Sequence, residues 1–347
     1  MKTTWMALAA CSVALMVAGC SGSKDTATTT DGTTPAAGKQ LTIGIVFDSG
    51  GRGDKSFNDS AWAGIERAKK DFNIKEMSVE SKSEKDYEAN QGSLAEAGAD
   101  LVIAVGLNQE TALRKVSAQF PDSKFAIVDG SVEAKNVRML KFKEEEGSFL
   151  AGYLAGLMTK TNKLGFVGGM EIPLIHKFQY GFLAGAKMAN PQVEMLPAKF
   201  TGNWDDSQKG KAAATVLFSS GADIVYHAAG RAGQGVITAA KETGKFAIGV
   251  DSDQDYLAEG NVLTSMVKRV DEAVYSTIKD IVEGKYSAGE SIYDLKANGV
   301  GLSEMKFTKD KVGEANLAKI EEIKKKIVDG TIKVPKSKEE YDAMVTG

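Results

Sequence analysis

Cysteine and histidine are nearly absent from this chain of 347 residues, with two of each. So few ligating side chains exclude a disulfide scaffold and a zinc site built from Cys and His. Charge of one sign is missing as well: 43 lysines and arginines stand against 46 acidic residues, a formal net charge of -3. A chain without a basic excess is not expected to hold nucleic acid. Past residue 20 no apolar run approaches the ~20 residues of a membrane-spanning helix. No Ser/His/Asp or Cys/His constellation stands out, so no enzyme and no cofactor is expected. What remains is ordinary globular material, 43% hydrophobic and 26% charged. Its length suits about two domains.

The first residues are of a different kind. Lys2 precedes an apolar run, Trp5 to Val17, of secretory-signal length. It ends in Val17-Ala18-Gly19-Cys20, which resembles the lipobox of bacterial lipoproteins. That resemblance implies a signal peptide over 1–19, cleavage before Cys20, and acylation (palmitate-type) of that cysteine. An ordinary signal peptide with a chance cysteine is the other reading. Residues 20–38, rich in Ser, Thr, Gly and Ala, have little to bury and read as a flexible tether. The expected product is a folded body outside the cytoplasm, anchored to the cell membrane by lipid.

From Leu41 onward, short β-branched runs alternate with amphipathic helical patterns, as in parallel doubly wound sheets. The alternation also repeats. A shift of 121 positions lays Gly44, Val46, Phe57, Ala63, Gly64 and Ala68 on Gly165, Val167, Phe178, Ala184, Gly185 and Ala189. Asp129 similarly answers Asp251, each just past a strand end. Shared composition accounts for matched alanines and glycines, but not for phenylalanines and aspartates in one order. A period this long reads as a duplicated lobe. The first lobe is expected over 39–142 with 267–287, and the second over 143–266 with 288–347. In open parallel sheets, ligands bind beyond the carboxyl ends of the strands, so two facing lobes would share a cleft closed about a hinge.

Phe57 and Phe178, at equivalent places, suit the two faces of a flat ring, with Asp48 and Asn58 on its edge. Taken singly, each phenylalanine reads more readily as core, and their equivalence across the repeat brings the two readings closer to even. Asp129 and Asp251 suit vicinal hydroxyls and read equally well as turn aspartates. Lys268, after the strand Val262–Val267, would complete a polyol clamp or lie solvated.

Ile45-Val46-Phe47-Asp48 with Lys55-Ser56-Phe57-Asn58, the Phe178–Ala186 stretch, Gly249-Val250-Asp251 and Ser265-Met266-Val267-Lys268 together resemble the basic membrane protein family. The resemblance extends from Leu41 to the C-terminus. It implies an α/β fold of two Rossmann-like lobes with parallel sheets joined by a hinge, type I periplasmic-binding-protein-like. It also implies a monomeric substrate-binding lipoprotein that captures purine nucleosides (adenosine, guanosine, inosine class) for an ABC permease. By that resemblance Phe57 and Phe178 sandwich the base, and Asp48 and Asn58 read its edge. Asp129, Asp251 and Lys268 hold the ribose, and the Gly230 turn brings ligand close to backbone. The Gly51-Arg52-Gly53 insertion lengthens the first loop at the mouth of the cleft. Another ring-bearing or sugar ligand in the same architecture is the alternative, and a nucleoside-cleaving enzyme a more distant one.

Other signals are set aside. Arg52-Gly53-Asp54 reads as a chance tripeptide, and the same loop lacks the glycine that a P-loop needs before its lysine. Gly230 to Gly235 reads as a tight strand-to-helix turn rather than an anion cradle, and Asp205-Asp206 as a helix cap. His227 reads as structural. His176, beside Phe178, is expected at the cleft.

Overall fold

A computed structural model describes residues 40–346. The signal segment 1–19, Cys20 and the tether lie outside the described residues. The first sheet is laid down by β1 (Leu41–Phe47), β2 (Ile74–Glu80), β3 (Leu101–Val105), β4 (Phe125–Val128) and β5 (Val137–Phe142). The second follows with β6 (Lys163–Gly168), β7 (Glu194–Met195), β8 (Lys199–Phe200), β9 (Ile224–Ala228), β10 (Phe246–Asp251) and β11 (Val262–Lys268). The chain then returns to each sheet once more, with β12 (Gly289–Tyr293) and β13 (Val300–Leu302). The orders are β12-β5-β4-β3-β1-β2 and β13-β11-β10-β9-β6-β7, with β8 also on β6. Every pairing is parallel except β13 on β11. Both halves thus share one strand order, as the repeat implies, and differ in the direction of the last strand.

Apolar runs without alternation make the central strands. All residues of β3, β4 and β9 are buried, as expected of parallel strands covered on both faces. The cover comes from α1 (Phe57–Asp71), α2 (Tyr87–Glu96) and α3 (Glu110–Gln119) in the first half. In the second it comes from α4 (Glu144–Met158), α5 (Pro173–Ala189), α6 (Ser207–Ser219) and α7 (Gly233–Thr243). The helix α8 (Val270–Val282) crosses back to pack on α1, where Ala61, Gly64, Ile65 and Ala68 form the buried stripe. The chain ends in α9 (Lys309–Val312), α10 (Glu314–Val328) and α11 (Lys338–Thr346).

The segment contributed to the first sheet runs to Tyr293, not to residue 287. Gly289–Tyr293 pairs in register with Arg138–Phe142, so the last crossing between lobes falls six residues later than the sequence pattern drew it. The strand is short and only half-buried, which leaves it no apolar run to be recognised by. Three connections join the lobes, and they bond to one another. Lys143 N donates to Tyr293 O at 3.1 Å, Arg269 N to Gly299 O at 2.9 Å, and Leu295 N to the Glu146 carboxylate at 2.9 Å.

Candidate functional site

Asp48 follows β1 directly, and the loop 48–56 leads into α1 at Phe57. The start of α1 is built on Asp54, whose carboxylate accepts from the backbone N–H of Ser56, Asn58 and Asp59. This buried cap fixes the first turn, and with it the directions of Phe57 and Asn58. It also means that the aspartate of Arg52-Gly53-Asp54 is turned inward, only 1% exposed. The matching helix α5 begins at Pro173, so Phe178 sits in its second turn whereas Phe57 opens α1.

Phe57 and Phe178 flank one ammonium group. Lys268 Nζ lies 5.3 Å from the Phe57 ring centre and 5.6 Å from that of Phe178, with Phe142 at 4.9 Å. The lysine is itself buried and stands at the end of β11. It pairs with Asp129 at 2.7 Å and with Glu144 at 3.0 Å. Burial alone would lower its pKa, but Asp129, Glu144 and Asp251 outweigh that and raise it above its ordinary value. Lys268 is therefore a permanent cation. Glu144 opens α4 and also meets Lys177 at 3.0 Å. Burial opposes its ionisation, yet the two lysines hold its carboxyl below the usual range.

Asp129 and Asp251 both adopt left-handed backbone, φ 67° and 65°. Burial raises the pKa of Asp129 despite Lys268, and one of its oxygens has no protein partner. Asp251 accepts from the Ser56 hydroxyl across the cleft. Burial pushes its carboxyl up to about 7, against the pull of Lys268 and the Ser56 bond. Asp48 accepts from Gly50 N at 2.9 Å and Asn58 Nδ2 at 2.8 Å, and burial pushes it up to about 6.

These groups surround one cavity. It lies between the carboxyl ends of the two sheets. All eight residues picked out from the sequence line it: Asp48, Phe57, Asn58, Asp129, Phe178, Gly230, Asp251 and Lys268. His176 does not. Its ring packs edge-on against Tyr180 and Phe200, because two residues along α5 from Phe178 turn it to the opposite side of the helix. His227 is fully buried behind the wall, bonded to Gln254 at 3.0 Å, and burial pushes its pKa down to about 4. Asp206 caps α6 through the N–H groups of Gln208 and Lys209. Among the described residues no group of His, Cys, Asp or Glu is arranged to hold a metal.

Sequence reasoning passed over Trp204, which lines the cavity, and Glu144, which grips Lys268. An aromatic in the polar loop 202–207 was the one available sign of Trp204. Glu144 sits in a run of three glutamates with nothing local to single it out. Arg231 was also missed as a wall residue. Its Nη2 reaches across the cleft to the carbonyls of Gly50 and Arg52, both at 2.8 Å. Gln234 and Gln254 donate to the carbonyls of Asp54 and Lys55, each at 2.9 Å. The lengthened first loop is thus tied to the second lobe along most of its backbone, and the lobes are closed on each other.

Comparison with known proteins places this geometry. A family model described as ABC transporter substrate-binding protein PnrA-like (Bmp) matches residues 42–338. A CD4+ T-cell-stimulating antigen of Listeria monocytogenes is 39% identical over 322 residues, 86% of this chain and 88% of that protein. The ABC transporter nucleoside-binding protein BmpA of Lactococcus lactis is 35% identical, over 88% of this chain and 92% of that protein. Among solved structures, an ABC transporter solute-binding protein from Aeropyrum pernix superposes with a TM-score of 0.79 at 30% identity. That match covers 88% of this chain and 96% of the other. A dimeric Lac repressor, at 16% identity and a TM-score of 0.56, shares the fold alone.

Proposed function

Because the chain belongs to the PnrA-like (Bmp) family of ABC transporter substrate-binding proteins, we propose that the solute it binds for its importer is a purine nucleoside. The observation that carries this reading is the pairing of two ring faces with two different polar ends in one interlobe cavity. Phe57 and Phe178 come from opposite lobes at repeat-equivalent positions and offer faces to a flat base. Such stacking is worth about 1–3 kcal/mol per base and tolerates any base. Asp48 and Asn58 stand where a base edge would be read, and discrimination resides in such bonds. Asp129, Asp251 and Lys268 offer two acceptors and a fixed cation to the hydroxyls of a ribose. A ligand touching both lobes stabilises the closed form by its differential affinity, which is what a permease can recognise. Cys20, acylated, would tether the receptor beside that permease at the membrane.

Isothermal titration of the purified protein, stripped of co-purifying ligand, tests the reading. Adenosine, guanosine and inosine should bind saturably, and uridine and ribose weakly or not at all. Ribose binding as tightly as a nucleoside would favour the sugar reading. Silence across the panel would remove nucleosides and leave the receptor in search of another ring-bearing solute.

A further inference from the structure

Asn58 is 2% exposed, and both hydrogens of its amide are committed. Nδ2 donates to Asp48 Oδ1 at 2.8 Å and to Asp54 Oδ2 at 3.1 Å. A carboxylate oxygen only accepts, so the amide has one orientation. Its nitrogen lies between the two acids, and Oδ1 is turned away from them. That oxygen is buried without a protein partner, on a residue that lines the cavity. Asp48 adds acceptors beside it, its Oδ2 lying 3.4 Å from where a side chain on Gly106 would begin.

Asp54 sets this polarity without needing to touch a ligand. It takes four donors: the N–H of Ser56 at 2.9 Å and of Asp59 at 3.1 Å on Oδ1, and the Asn58 N–H at 2.8 Å and amide at 3.1 Å on Oδ2. Burial raises its pKa against the pull of these bonds, but with four N–H groups aimed at them both of its oxygens serve as acceptors. We infer that Asp54 is a positioning residue that, through Asn58, makes the ring-reading edge of the cavity all acceptors. The site thereby selects a 2-amino-6-oxopurine over a 6-aminopurine. This rests on the nucleoside reading above. A 2-amino-6-oxopurine turns two adjacent donors, N1–H and the 2-amino group, toward such an edge. A 6-oxopurine without the amino group offers N1–H alone. A 6-aminopurine offers its amino group as one donor but sets the lone pair of N1 beside it against an acceptor, and a buried acceptor left facing another is costly.

The test is a comparative titration of the stripped protein with guanosine, inosine and adenosine. Affinity should fall in that order, with guanosine about tenfold or more tighter than adenosine. Asp54→Asn retains an acceptor for Ser56 and Asp59 but sets an amide nitrogen against Asn58. It should shrink the guanosine-to-adenosine ratio roughly fivefold or more, by weakening guanosine rather than both. Equal losses for both nucleosides would mean that Asp54 only holds the loop, and would overturn the inference. Equal binding of the two by the parent would also overturn it and leave the nucleoside reading intact. No response to any of the three removes both. Should Asp54→Asn not fold, 1-methylguanosine decides on the parent: loss of N1–H should weaken binding about tenfold, and undiminished binding sinks the idea.

Discussion

Asp129 and Asp251 occupy equivalent places in the two halves, and both hold left-handed backbone that costs a non-glycine residue about 1–3 kcal/mol. Burial adds to that cost at Asp251, whose carboxyl is pushed up to about 7. An acid with a higher pKa in the folded than in the unfolded chain keeps its proton longer when folded. Its folded state therefore loses relative stability as pH rises from about 4 to about 7. Asp251→Asn removes the titration, so the variant should gain on the parent by roughly 1–3 kcal/mol between pH 5 and pH 8. It should also bind nucleoside more weakly, since sites are often held at the expense of stability. Urea denaturation of ligand-free protein at the two pH values checks this, and a constant difference would refute the burial cost. The phenylalanines make a separate prediction. Phe57→Ala and Phe178→Ala should each cost about 1–3 kcal/mol, ten- to hundredfold in affinity, with the fold intact. Two variants that titrate like the parent would end the sandwich.

The helices α4 and α5 pack with their backbones close together. Gly152 and Gly156 face Gly181 and Gly185, and added Cβ atoms would strike backbone. At Gly185 the contact would be with Phe149 O at 2.0 Å, and at Gly152 with Phe182 O at 1.9 Å. This packing positions the site, because α4 carries Glu144 at its start and α5 carries Phe178. Gly185→Ala should destabilise the protein by about 1–3 kcal/mol, since neither backbone can yield within a packed core. Thermal unfolding would measure it, and an unchanged midpoint would show that the helices have room to part. The same closeness explains why α4 was illegible in the sequence. A helix buried nearly all round, with glycines on its contact face, lacks the amphipathic stripe by which helices are recognised. By contrast α1, α3 and α7 each bury one face and so carry that stripe.

At the scale of the whole molecule, two sheets joined by three crossings close over one cavity. The closed state is held by bonds between main chain and side chain as well as by whatever lies inside. Arg231 supplies two of these to the first loop, at Gly50 and Arg52, and it lines the cavity mouth. Arg231→Ala should therefore act on opening rather than on recognition. Dissociation of bound nucleoside should quicken about tenfold, with association little altered. Stopped-flow displacement would show this, and an unchanged dissociation rate would mean that ligand contacts alone govern opening. The insertion Gly51-Arg52-Gly53 thus contributes one backbone acceptor, Arg52 O, to the closed form. Its bond to Arg231 depends on the approach of two lobes, which the chain alone does not show.

Some properties of this protein are local to the chain, and the sequence by itself determines them. Unbroken β-branched runs make buried strands, a 121-residue echo makes two similar lobes, and strand ends bring Asp48, Asp129 and Asp251 to the carboxyl ends of the sheets, beyond which ligands bind. Other properties depend on distance in space between residues far apart in sequence, and no periodicity carries that information. Only the folded chain brings Glu144 to Lys268, Arg231 to the carbonyl of Gly50, and the short strand Gly289–Tyr293 to the edge of the first sheet. The orientation of the Asn58 amide belongs to the same class. Sequence supplies the asparagine, but two carboxylates converging on one nitrogen decide which of its atoms is left without a protein partner.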